Sequence, residues 1–118
     1  FSPEGSFHGA EKKLDYLAEL GVTAIELMPV AEFPGNFGWG YDGVLWYAPS
    51  RAYGKPHQLK QLIDAAHQRN MQVFLDVVYN HFGPEGNYLH AYAKQFFNEG
   101  IHTPWGGAIA YDGPDRDL

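Results

Sequence analysis

Within six residues, Asp76-Val77-Val78-Tyr79-Asn80-His81 collects a carboxylate, an amide and an imidazole. Together these groups donate and accept hydrogen bonds, so they can grip several hydroxyls of one ligand. The same trio can brace a loop or cap a helix, and the residue types alone leave both readings open. A second segment, Gly38-Trp39-Gly40-Tyr41-Asp42-Gly43, sets rings beside a carboxylate. Its glycines let the backbone turn tightly around exposed aromatics. That combination suits a sugar, whose C–H faces stack on rings while its hydroxyls bond to oxygen. A rigid aromatic loop packed on a sheet would use the same residues.

Other chemistries find little support. Neither the dinucleotide-binding glycine spacing nor a P-loop is present, and no His-Glu-x-x-His occurs. The six histidines are scattered, and His67 reads as a helix-surface or packing residue. The absence of cysteine excludes disulfides, a thiolate nucleophile and a thiolate zinc site. It fits a reducing compartment, and a cytoplasmic location is expected. Eight basic against fourteen acidic side chains, net −6, argue against nucleic acid or an anionic membrane as partner. No apolar run approaches the ~18 residues of a membrane span. With 45% apolar and 19% charged residues, the 118-residue chain has the composition of a globular domain. Aromatics make up 16% of it beside 14 glycines, more rings in company with glycine than a core alone requires. Aromatic-lined loops around a planar or sugar-like ligand are one cause, and well-packed aromatic loops are another.

These side chains need elements to position them. Ala10, Leu14, Leu17 and Ala18 fall at helical spacing and predict a helix over 9–20, stopped by Gly21. Residues 22–30 are nearly all apolar and end at Pro29-Val30, which predicts a buried strand. Glu26 interrupts it, so its carboxylate is expected either at a wet end of the sheet or beside a cation. Residues 31–57 read as one long connection carrying Phe33, Phe37, Trp39, Tyr41, Trp46, Tyr47 and Tyr53. Loops of that length are often functional. Leu59, Leu62, Ile63 and Ala66 mark a second helix that follows Pro56 and ends near Asn70. A second buried strand is expected over 71–78, then a turn-rich loop, a weaker helix over 89–98 and an irregular remainder. Each strand is followed by a crossover, which predicts a parallel α/β sheet. In such sheets ligands bind at the carboxyl ends of the strands, where Asp76, Asn80 and His81 fall. The first residue is Phe, and 112–118 read as a polar turn leading onward, so the chain is expected to be part of something longer.

Asp76-Val77-Val78-Tyr79-Asn80-His81 resembles the first short signature of the α-amylase family of glycoside hydrolases. Trp39-Gly40-Tyr41-Asp42-Gly43, with Ala48-Pro49 and Tyr53-Gly54-Lys55-Pro56, resembles the loop after that family's second barrel strand. Ile25 to Gly35, Asn80 to Tyr88 and Thr103-Pro104-Trp105-Gly106 extend the similarity over essentially the whole chain. They are most similar to members that release trehalose from maltooligosyl trehalose, with α-1,4-glucan branching members as the alternative. The resemblance implies a fragment of a (β/α)8 TIM barrel: about strands two and three with helices one and two and long βα loops. It makes residues 1–118 the N-terminal part of the catalytic barrel, whose remainder is the chain's partner. The family's nucleophile and acid/base would follow Leu118, so no catalytic residue is expected here, and no loop acid (Glu32, Asp42 or Glu85) is expected within the ~5–5.5 Å of Asp76 that paired carboxylates need.

Residue by residue, the resemblance implies that Tyr41 stacks under the sugar whose bond is cut. His81 would hydrogen-bond that sugar's hydroxyls, and Asp76 would pair with an Arg of the missing fourth strand. Trp39, Asp42 and Trp105 are further contacts. Asn80 matches a calcium ligand of many members, but one amide cannot supply the six to eight oxygens typical of that ion. No metal or other cofactor is expected. The implied ligand is an oligosaccharide, maltooligosyl trehalose or another α-glucan, and a carbohydrate-binding module without catalysis is the reading from a different class.

Overall fold

The computed structural model describes residues 2–114. Of the expected polar turn at 112–118, residues 115–118 lie outside the described part. The chain opens with two short helices in place of one continuous helix: α1 (Phe7–Glu11) and α2 (Leu14–Glu19). The Ser6 side chain accepts a hydrogen bond from Gly9 N at 3.0 Å and starts α1 at Phe7, ahead of the predicted start at residue 9. Between the helices, Lys13 N–H bonds to Ala10 O, three residues back, so the spiral tightens and restarts. Gly21 (φ 85°) and Asn70 (φ 57°) take the left-handed conformation that ends each helical region, as their positions predict.

Strands β1 (Ala24–Leu27) and β4 (Gln72–Leu75) pair in parallel, with Ala24 opposite Gln72 and Leu27 opposite Leu75. The ladder continues one step, because Asp76 N–H donates to Leu27 O at 2.9 Å. Helix α3 (Pro56–His67) makes the crossover between them. Pro56 occupies its first turn, where a missing N–H costs nothing, and Gln58 Oε1 accepts from Lys55 N at 2.8 Å.

The core lies on one face of this pair. Phe7, Leu14, Leu62, Ala66 and Met71 are buried, and Ile25, Leu27 and Val73 pack against them from the strands. The opposite face, on which Glu26 lies beside Phe74, is open: Phe74 is 55% exposed. The expectation of a sheet buried on both faces is therefore met on the helix side alone. Glu26 is exposed on the open face and has no ion pair among the described residues.

Two hairpins stand where irregular chain was expected. Residues 31–57 contain an antiparallel pair, β2 (Ala31–Glu32) with β3 (Leu45–Pro49), whose register shifts between its two pairings. Glu32 secures it, accepting from Arg51 N at 2.8 Å. Past α4 (Leu89–Tyr92) and a 3-10 turn (Lys94–Phe96), the expected helix gives way to β5 (Phe97–Thr103), paired with β6 (Gly106–Ile109).

Candidate functional site

Both long connections leave the carboxyl ends of β1 and β4 and meet there. Gly40 has φ 90°, and a Cβ on it would sit 2.3 Å from Pro29 O, so the Trp39–Tyr41 turn lies directly on the end of the β1 segment. Gly83 is held as closely by the other loop: its N–H donates to Gly43 O at 3.0 Å, and a Cβ there would lie 2.1 Å from Asp42 O. The main chains of the two loops are therefore in contact, and no side chain fits between them.

A cleft of about 700 Å³ opens at this junction. Trp39, Tyr41, Asp42, Asp76, Asn80, His81 and Trp105 all line it, so the residues singled out from the sequence share one surface. Gly38, Val77 and Val78 complete the wall. The volume lies within the range of ligand pockets. Asp42 and Asp76 both line this cleft.

His81 is the most enclosed of the group, at 5% exposure. Its Nε2–H donates to Tyr41 O at 3.1 Å, and its ring stacks on Trp105 with centroids 5.3 Å apart and planes 24° from parallel. Nδ1 is buried without a partner. The imidazole thus joins three separate segments: the Tyr41 turn, the end of β4 and the β5–β6 hairpin. One nitrogen is engaged by the main chain and the other is enclosed. Tyr41, at 41% exposure, keeps its ring available.

Phe82 points away from the cleft and stacks on Trp46, with centroids 4.1 Å apart and planes 8° from parallel. Tyr79 leans on the same indole at 5.2 Å. Sequence reasoning missed this brace because Trp46 belongs to the unexpected strand β3. Consecutive residues His81 and Phe82 therefore anchor opposite sides of the same loop.

Asn80 lines the cleft, and no group of three or more His, Asp or Glu side chains converges among the described residues. No helix among them is long and apolar enough to cross a membrane.

The family model for the alpha-amylase catalytic domain matches residues 2–105. Malto-oligosyltrehalose trehalohydrolase of Deinococcus radiodurans is 54% identical over 114 residues, which is 97% of this chain and 19% of that protein. The enzyme of the same name from Saccharolobus solfataricus is 51% identical over 117 residues, 99% of this chain and 21% of that one. The crystal structure of a Salmonella typhimurium protein superimposes with a TM-score of 0.93 at 60% identity, covering 99% of this chain and 20% of that chain. The chain spans about a fifth of the length of the curated relatives it matches.

Proposed function

Because the chain belongs to the alpha-amylase family, within its catalytic domain, we propose that it forms part of the sugar-binding wall of a trehalose-releasing glycoside hydrolase. In this reading the parent enzyme cleaves the α-1,4 bond next to the terminal trehalose of maltooligosyl trehalose. Residues 1–118 supply the second and third strands of the barrel with their long loops. The observation that carries the reading is the gathering of three rings, two carboxylates, an amide and an imidazole on one cleft at the strand ends. Relatives about half identical over nearly the whole chain support the choice of reaction.

In this mechanism an acid protonates the leaving oxygen, a carboxylate forms a glycosyl-enzyme and water releases it. The paired carboxylates would come from other strands of the parent barrel. Here Tyr41 lies under the reacting sugar and Trp105 and Trp39 flank it. Asp42, Asp76 and Asn80 bond to hydroxyls or to neighbouring strands, and His81 fixes the two aromatic walls relative to each other.

The test is incubation of the full-length parent protein with maltooligosyl trehalose. Free trehalose is the expected product. Formation of α-1,6 branches in its place would assign the protein to glucan branching. Binding of α-glucan with neither reaction would make it a binding module.

A further inference from the structure

Residues 79–83 bring Asn80 and His81 to the cleft, and little in their own backbone holds them there. None of the N–H groups of residues 77–82 bonds to the main chain among the described residues. The segment is gripped from two sides instead. On one side Ile109 N–H donates to Asn80 O at 3.3 Å, and the Tyr111 hydroxyl donates to Tyr79 O. On the other stands Trp46, stacked on Phe82 and lying against Tyr79. We propose that Trp46 is a positioning residue for the reaction assigned above, on which reading the proposal rests: without touching the sugar, it fixes His81 through Phe82.

Trp46 suits this task because its own strand is fixed. Val44 N–H donates to Glu32 O at 2.8 Å and Ser50 N–H to Val30 O at 2.7 Å, one on each side of Trp46. Both acceptors follow shortly after β1, so the indole stands on a base tied to the end of that strand. Its Nε1–H is buried and has no partner among the described residues, so the indole acts through its face. Trp46 is not among the described residues that wall the cleft. Phe82 is adjacent to His81, with Cα atoms about 3.8 Å apart, and Gly83 N–H is bonded to Gly43 O. A ring clamped at 82 and a main chain clamped at 83 keep His81 from sliding along the Tyr41 turn, to whose carbonyl it donates. Loss of the clamp at 82 moves the imidazole relative to Tyr41, the ring placed under the reacting sugar.

A double-mutant cycle between Trp46 and His81, read on trehalose release by the full-length parent protein, tests this. Trp46→Leu keeps an apolar side chain and removes the ring. It should lower turnover about tenfold with KM changed less than about twofold, a smaller misplacement than that expected of His81→Ala. Trp46→Phe restores a ring and should return turnover to within about twofold of the wild type. In the His81→Ala background Trp46→Leu should cost less than about twofold more, because the group it positions is gone. Wild-type turnover in Trp46→Leu overturns the proposal, as does a raised KM at constant turnover. Equal losses in both backgrounds overturn it too, because Trp46 would then act independently of His81. So does a Trp46→Phe variant as impaired as Trp46→Leu. Should Trp46→Leu not fold, Phe82→Leu removes the other ring of the stack and enters the same cycle with the same criteria. A wild type that forms α-1,6 branches and no trehalose overturns the trehalose reading alone, and the cycle is then run on branching. For a protein that only binds α-glucan it is run on maltoheptaose affinity by calorimetry. Non-additivity between the two positions keeps the positioning role in either case, and additivity removes it.

Discussion

The imidazole of His81 makes its hydrogen bond to the main chain of Tyr41 and lays its ring against Trp105. Its removal should therefore disturb both aromatic walls of the cleft. His81→Ala in the parent enzyme is expected to lower turnover about a hundredfold, the scale associated with misplacing reacting groups by about 1 Å. Near-UV circular dichroism should change with it as Trp105 loses its stacking partner, and unchanged turnover with an unchanged spectrum would refute the role. Tyr41→Ala should lower turnover more than it raises KM, because a ring under the reacting sugar favours the flattened, charged transition state over the resting substrate. A raised KM at constant turnover would mean uniform binding. Far from the cleft, Arg69 Nε donates to Asp15 Oδ1 at 2.7 Å and ties α2 to the end of α3. The guanidinium holds the Asp15 carboxyl below its ordinary value of 3.8. The folded form therefore gains stability from this pair above that unfolded value and loses it as pH falls through the lower folded one. Asp15 is exposed, so the effect is small. Thermal melts between pH 2 and 5 should show a slightly steeper acid decline in the wild type than in Arg69→Gln, and superimposable declines would refute it.

Among the elements, the loops that build the cleft are fixed by close backbone contact. Gly83→Ala places a methyl group on Asp42 O and should force the two loops apart. A loss of about 1–3 kcal/mol is expected, typical of overpacking, together with weaker oligosaccharide binding. Urea unfolding and calorimetry on the parent enzyme check it, and wild-type values for both would show that the loops separate freely. The elements that were legible in the sequence are those whose apolar residues are periodic or continuous. Leu59, Leu62 and Ala66 mark α3 because that helix turns one face to the core, and Val73 to Leu75 mark β4 because an apolar run suits a parallel strand. The β2–β3 hairpin was not legible: β2 has two residues, its register shifts, and Leu45 and Tyr47 remain exposed. The β5–β6 hairpin contains Gly100, Gly106 and Gly107 and no buried strand position, so neither alternation nor burial announces it. At the site, Asp76, Asn80 and His81 were legible because one strand end carries them all. The Trp105 stack depends on where a hairpin folds back, which local pattern does not encode.

As a whole the molecule is extended. Its radius of gyration is 16.8 Å with extents of 50 × 28 × 24 Å, against roughly 13.5 Å for a compact domain of this length. Among the described residues both outer edges of the two-stranded β1–β4 sheet lack a strand partner, and Met28, Phe74 and Leu75 are exposed. Unpaired edges beside apolar side chains favour association. The isolated 118-residue chain should therefore form concentration-dependent oligomers in sedimentation velocity and release no trehalose from maltooligosyl trehalose. A stable monomer with a sharp, concentration-independent melt would contradict the first expectation, and measurable trehalose the second. The parallel register has a further consequence, in time. Ala24 and its partner Gln72 stand about fifty residues apart in the chain, which at ribosomal rates of about 5–20 residues per second is a wait of roughly 2–10 s. During that interval the nascent β1 segment has no β4 to pair with, and α1 and α2 are the described elements that already precede it in the chain.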